Sequence, residues 1–352
     1  MFAAQRSEQE QQVAGLSDIA RQAGVSVSTV SRVLNRKAGI AEETRRRVLE
    51  VLDRMPHTAR GAESLRRTGV LGLLVPELSN PVFPAFAEAL ESRAAQAGYA
   101  SLLCNTRAAM TEEEYVRMLL ARGVEGMIFV SPEIANADSD ERRCRRYYEK
   151  LGRDGVRMVF VNGGAPSLDV PDITVDEHLA GHTAARHLLE LGHRRIGFVS
   201  GPGRALPSRL KQAGWAAALE EAGVEPATDL VARGGFSADG GAEAMGRLLD
   251  GPKPTAVLCS SDVMALGAMS EAKRRGLSTP EDVSVVGFDD IPLAACCQPA
   301  LTTLAQPIRD MAAAAVDELL RRLDPETAGR GAASFSRMFR PGLIVRESTR
   351  EV

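Results

Sequence analysis

Two rhythms of apolar residues follow one another along the chain. From Leu16 to Leu52 they recur at helical spacing: Leu16, Ile19, Ala20 and Ala23 share one face of a short helix, Val30, Val33 and Leu34 a face of a second, and Val48, Leu49 and Leu52 a face of a third. Gly24 stands where a helix end needs a residue tolerant of positive φ, and Ser26 is placed to cap the second helix. From Val70 onward the rhythm changes to short unbroken apolar runs, VLGLLVP, GMIFVSP, RMVFVN, RIGFVSGP, AVLCSSD and VSVVGFDD, separated by helical stretches such as PAFAEALESRAAQAG and HTAARHLLELG. Such runs alternating with helices predict parallel strands covered on both faces, and most end in a turn carrying polar residues. Ligands of sheets of this kind bind beyond the carboxyl ends of the strands.

With 352 residues the chain is too long for one core, and its 44% hydrophobic content supplies two or three. Aromatic residues make up only 4%, which suits helices on buried sheet better than an aromatic-rich β-sandwich. No apolar run reaches the roughly 18 to 20 residues of a membrane span, and the polar start MFAAQRSEQEQQ lacks the apolar core of a signal peptide. Both features place the protein in the cytoplasm. The five cysteines, an odd number without C-x-x-C spacing, argue against a disulfide framework or a zinc site and read as buried free thiols. Charge is uneven: residues 1–67 carry 12 Lys or Arg against 8 acidic residues, a balance of +4, which leaves -7 for the rest of a chain whose total is -3. That distribution fits a small nucleic-acid-binding head on a larger acidic body.

Two helices joined by a tight Gly-containing turn form either an ordinary helical hairpin or a helix-turn-helix, whose second helix enters the DNA major groove. The stretch DIARQAGVSVSTVSRVLN, Asp18 to Asn35, resembles the DNA-binding signature of the LacI/GalR family of bacterial transcriptional repressors, and the resemblance runs from Leu16 to about Thr349. It implies base contacts from Val27, Ser28 and Arg32, and phosphate contacts from Thr29, Ser31 and Asn35. Arg32 has the fork that holds guanine bidentately, whereas hydroxyls and amides on phosphate set register. In PHTARGAESLRRTG, Ala62 and Leu65 resemble the family's hinge helix, whose Leu wedges into a central minor-groove step. Pro56 stands nine residues before Leu65, further than in the family, and Gly61 weakens the helix, so a plain linker is the alternative.

The implied fold is a small all-α helix-turn-helix head (residues 15–58) after a disordered N-terminal tail (1–14), a hinge or linker (59–68), and an α/β body like a periplasmic binding protein. The body has two doubly wound parallel-sheet subdomains, 69–175 with 304–334 and 176–303 with 335–348, whose crossings fall near Asp176, Thr303 and Phe335. By position in the family, Phe83 and Phe236 supply apolar or stacking faces to the cleft between them, and Asn162, Lys211, Ser261 and Asp289 supply polar contacts. This chemistry suits a polyol-like effector, a sugar or sugar derivative. Lys211 stands where the family pattern has Arg, Ser261 where it has Asn, and Asn162 where Asp is frequent. Lysine offers a point charge in place of a planar fork, which leaves room for a ligand other than a standard hexose.

Asp289 and Asp290 are neighbours that point apart at a strand end, and His178 and His182 have i, i+4 spacing without a third ligand nearby. Neither pair reads as catalytic or metal-binding. With no phosphate loop, G-x-S-x-G or Cys–His arrangement, no cofactor and no enzymatic activity are expected. A solute-binding transport protein would share the body but need an export signal and no head, and a sugar-processing enzyme would need a paired acid and base. The expectation is a ligand-responsive, sequence-specific DNA-binding regulator, a repressor of carbohydrate-related genes, found on the nucleoid when bound. Its partners are a near-palindromic double-stranded operator, a small-molecule effector and a second copy of itself, with no membrane. The end of the chain, GLIVREST plus a few residues, carries no apolar heptads and so favours a homodimer over a tetramer.

Overall fold

The computed structural model describes residues 16–34, 40–54, 68–107, 109–136, 139–163, 168–203, 205–324 and 336–352. The chain divides into two compact units, Met1–Gly69 and Val70–Val352. In the first unit, helices α1 (Leu16–Ala23), α2 (Val27–Leu34) and α3 (Glu42–Arg54) pack through Ile19, Ala20, Ala23, Val30, Val33 and Val48. Helix α1 stops at Gly24, whose φ of 65° turns the chain so that the Val25 N–H returns to the Ala20 carbonyl. Ser26 then caps α2, its Oγ accepting the Thr29 N–H at 3.1 Å. The tail at 1–14, Asn35, and the hinge residues Ala62 and Leu65 lie outside the described residues.

The second unit holds, among the described residues, two six-stranded sheets. The first runs in the order β11 (Ser336–Phe339), β5 (Asp172–Val175), β4 (Arg157–Val161), β3 (Gly126–Val130), β1 (Val70–Val75), β2 (Ala100–Asn105), all parallel. Alternate residues face opposite layers: Leu73, Val75, Ile128 and Val159 point to helices α4 (Val82–Gln96) and α12 (Ile308–Leu323), while Leu74, Phe129 and Phe160 point to α5 (Glu112–Ala121) and α6 (Glu141–Arg153). In the latter layer Phe129, Tyr148 and Phe160 meet edge to face with centroids 4.9 to 5.8 Å apart.

The second sheet runs β12 (Gly342–Ile344), β10 (Thr302–Ala305), β9 (Ser284–Asp289), β8 (Ala256–Cys259), β6 (Ile196–Ser200), β7 (Val231–Arg233), with only β12 antiparallel. Its helices are α7 (Glu177–Glu190), α8 (Leu206–Glu221), α9 (Ala238–Asp250), α10 (Asp262–Arg274) and α11 (Pro292–Cys296). Helices α7 and α8 touch backbone to backbone. A Cβ on Gly181 would lie 2.0 Å from the Lys211 carbonyl oxygen, and one on Gly214 would lie 1.9 Å from that of His178.

The chain passes from the first sheet to α7 at Asp176, and the other two crossings lie a few residues beyond Thr303 and Phe335. Strand β10 stays paired with β9 through Ala305, so residues 304 and 305 belong to the second sheet and the chain crosses at Gln306–Pro307. Strand β11 pairs with β5 through Phe339, so residues 336–339 belong to the first sheet and not to the second, and the last crossing falls at Arg340–Pro341 rather than near Phe335. An edge strand with three of its four residues exposed has no apolar signature by which to place it. The thiols also depart from expectation in part: Cys104, Cys144 and Cys259 are buried, but Cys297 is half-buried and Cys296 exposed on a five-residue helix with little to cover it.

Candidate ligand cleft and recognition helix

Strands β1, β3 and β4 of the first sheet and β8 and β9 of the second end at one cleft, as Pro76, Ser131, Asn162, Ser261 and Asp289 show. Its inner part encloses about 90 Å³, and all six expected residues, Phe83, Asn162, Lys211, Phe236, Ser261 and Asp289, line it. Three of the strand ends leave the sheet through a non-glycine residue at positive φ: Ser131 at 48°, Asn162 at 54° and Asp289 at 123°. Such conformations cost about 1 to 3 kcal/mol each and persist where the surroundings over-determine them, which is characteristic of binding sites.

The polar side chains are largely held by one another. Asn162 accepts the Val175 N–H at 3.2 Å and donates through Nδ2 to Oε1 of Gln306 at 2.8 Å; Gln306 in turn donates to Asp289 at 2.6 Å. One glutamine on a crossing thus links the end of β4 to the end of β9. Ser261 caps α10, accepting the Met264 N–H at 3.3 Å. Lys211, only 3% exposed, donates to the carboxylate of Glu177, and its ammonium lies 3.7 Å from the centroid of the Phe288 ring.

Burial sets the electrostatics. It pushes the Asp289 carboxyl well above the ordinary carboxylate range, helped by nearby Asp262 and opposed by Lys211 and the Gln306 hydrogen bond. Glu177 is pushed up in the same way, with Lys211 opposing. Asp262, which accepts the Thr303 hydroxyl at 2.5 Å and the Ile291 N–H at 2.9 Å, is raised to about 6, chiefly by burial.

The neighbouring Asp290 points elsewhere, pairing with Arg346 at 2.6 Å. His182 bonds Glu221 at 2.9 Å, and no cluster of three His, Cys, Asp or Glu side chains fit for a metal occurs among the described residues. Glu177, Phe288 and Gln306 went unnoticed in the sequence. Glu177 carried a weak signal as the acid after a capping Asp at a strand end; Gln306, in a crossing between two sheets, belongs to no periodic pattern.

On α2, Val27 is 43% exposed, and Ser28 and Arg32 are exposed as well. Thr29 is half-buried with its hydroxyl 2.8 Å from Ser26 Oγ, so part of its bonding capacity is used within the turn. The side chain of Ser31 is outside the described set.

A three-helix unit with an exposed, arginine-bearing second helix, on a chain that also folds a two-sheet α/β cleft, defines a ligand-responsive DNA-binding regulator. The sequence profile for bacterial regulatory proteins, lacI family, matches residues 15–58, and that for the periplasmic binding protein-like domain matches residues 185–349. The chain is 44% identical over 338 residues to an uncharacterized HTH-type transcriptional regulator in the aml 5' region of Streptomyces limosus, covering 95% of this chain and 94% of the relative. To the HTH-type transcriptional regulator MalR of Streptomyces coelicolor it is 42% identical over 339 residues, covering 95% and 96%. Similar solved structures include the complex of transcriptional regulator CelR with cellobiose (TM-score 0.71, 29% identity, 95% of this chain and 99% of that one). The lac repressor dimer bound to operator and the anti-inducer ONPF is alike too (TM-score 0.70, 29% identity, 96% and 100%). The chain belongs to the LacI family of bacterial regulators and is a DNA-binding transcriptional regulator. Among its described residues no helix is long and apolar enough to cross a membrane.

Proposed function

We propose that this protein is a repressor of carbohydrate-related genes that binds a near-palindromic operator as a homodimer and is switched by a polyol-like effector held in the cleft. The observation that supports the reading most is the convergence of Phe83, Asn162, Lys211, Phe236, Ser261 and Asp289, drawn from both sheets, on one cavity at the strand ends. An effector touching both sheets favours one relative arrangement of them, and only such differential affinity shifts a regulator between states. The names of the similar proteins point the same way, since one neighbour is a complex with cellobiose and another a dimer on its operator. On the DNA side, Val27, Ser28 and Arg32 read base edges, Thr29, Ser31 and Asn35 hold phosphates, and Ala62 and Leu65 form the minor-groove hinge. Residues 15–58 serve as the DNA-binding domain, 59–68 as hinge, and the two sheets with their helices as the effector-binding body.

The test has two arms. Selection from a random duplex pool should return a near-palindrome, and a saccharide that binds the protein should change affinity for that duplex by about 5- to 150-fold. Reciprocity requires operator to change saccharide affinity by the same factor. A selected site without two half-sites refutes the dimeric operator, and operator affinity indifferent to every bound saccharide refutes the switch.

A further inference from the structure

A second and larger space adjoins the inner cavity. This vestibule, half open to solvent, measures about 520 Å³ and shares Glu77, Arg107, Asn136, Ala205 and Phe236 with the inner cavity. The inner cavity alone, at about 90 Å³, falls well short of the roughly 300 to 1,000 Å³ usual for small-molecule sites. An occupant of ordinary size extends into the vestibule. Phe236 stands at the junction, seated against Gly201, where a Cβ would lie 2.5 Å from the aromatic ring. A ring face at the junction covers C–H surface; beyond it the Ser237 hydroxyl and the Asn136 amide nitrogen can donate, while the Thr106 and Ser139 hydroxyls, which donate to the Val75 and Asn136 carbonyls, can accept.

Charge narrows the ligand further. In the inner cavity the Lys211 ammonium is matched by Glu177, and in the vestibule Arg107 donates to Asn136. The vestibule also carries Glu77, Glu112 and Glu133. Glu133 pairs with Arg143; Glu112 accepts the Tyr148 hydroxyl and the Glu133 N–H at 3.1 Å, and burial raises it to about 7. With Glu133 paired to Arg143 and Glu112 raised by burial, the vestibule sets one acid, Glu77, against one base, Arg107, and so offers no surplus of positive charge to a phosphorylated or carboxylated ligand.

We propose that the cleft takes an uncharged saccharide of two or more rings, the terminal ring in the inner cavity and the next in the vestibule between Phe236 and Asn136. The proposal rests on the reading of the cleft as the effector site and adds the ligand's length and charge. Calorimetry on the full chain with glucose, maltose, cellobiose, xylose, xylobiose and glucose 6-phosphate tests it. At least one disaccharide should bind at least about tenfold more tightly than its own monosaccharide, and glucose 6-phosphate more weakly than glucose. Thr106 lines the vestibule and not the inner cavity. In Thr106→Trp, which fills the vestibule, the ratio of disaccharide to monosaccharide affinity should collapse toward one, while Thr106→Ser keeps it; thermal melts establish that both variants fold. A monosaccharide or glucose 6-phosphate that binds as tightly as every disaccharide overturns the two-ring proposal and leaves the cleft as effector site, and so does a disaccharide preference that survives Thr106→Trp. Failure of every saccharide to bind overturns the underlying reading of the cleft together with it.

Discussion

Replacing Lys211 by Met removes one charge of a buried pair and keeps most of the side chain's volume. The pair is well enclosed, with Lys211 3% and Glu177 6% exposed, and it sits on α7 and α8, which approach so closely that a Cβ on Gly181 or Gly214 would lie 2.0 or 1.9 Å from a backbone carbonyl oxygen. Breaking such a pair costs about 3 to 5 kcal/mol, because the remaining carboxylate stays buried without compensation. Protonation limits the cost. Glu177 already sits above its ordinary value through burial, with Lys211 the chief opposing influence, so the substitution raises it further. A carboxyl raised in the folded state binds its proton more tightly there than in the unfolded chain, so stability falls as pH climbs above the ordinary value of 4.5. The deficit of Lys211→Met should therefore be smallest near pH 5 and grow toward pH 8, and Lys211→Met combined with Glu177→Gln should recover most of it. Urea unfolding followed by fluorescence of Trp215, the single tryptophan and a buried neighbour on α8, reads this part of the molecule directly. A neutral-pH deficit below about 1 kcal/mol, a deficit that ignores pH, or a double variant no better than the single one would falsify the assignment of this pair as a buried, mutually dependent unit.

Arg32→Ala should cost about 1 to 3 kcal/mol on the selected operator and flatten its preference at one base pair; competition gel shifts in which the variant stays as selective as the parent refute the base contact. Asp262, raised from 3.8 to about 6, withdraws stability as pH rises through that window, so Asp262→Asn should gain on the parent by up to about 3 kcal/mol between pH 4 and 7, and a pH-independent difference speaks against it. Gly214→Ala sets a methyl 1.9 Å from a backbone carbonyl and should lower stability by about 1 to 3 kcal/mol or more, whereas a melt matching the parent's would mean that α7 and α8 can separate freely.

What the sequence revealed of the fold depended on the length of each signal. The long runs ending at Val75, Val130 and Val161 are strands because unbroken apolar residues have no stable place except a sheet covered on both sides. Strand β2, with Leu102 and Leu103 exposed, and β7, with three residues, are too exposed or too short for any periodicity to register. The cleft-lining residues come from position in the family rather than from any local pattern, since Phe83 and Lys211 lie on helices and Phe236 in a loop, away from the strand ends. Their bonding has no signature in the sequence. Asn162 spends its amide on Val175 and Gln306, Ser261 on a helix cap, and Lys211 on Glu177, and each of these depends on a partner 3 to 144 positions away in the chain.

The glycine contact between α7 and α8 divides the binding site into two kinds of material. Glu177 and Lys211 stand on two helices locked at backbone distance, so this floor admits few changes of sequence. Arg107, Asn136 and Ser237 at the mouth are at most half-buried and carry no such constraint. Retargeting of this regulator to a new ligand, in a laboratory library or over generations of descent, is thereby channelled outward: diversity placed in the loops at the mouth leaves the foundation intact, whereas randomising the floor spends most of a library on chains that never fold.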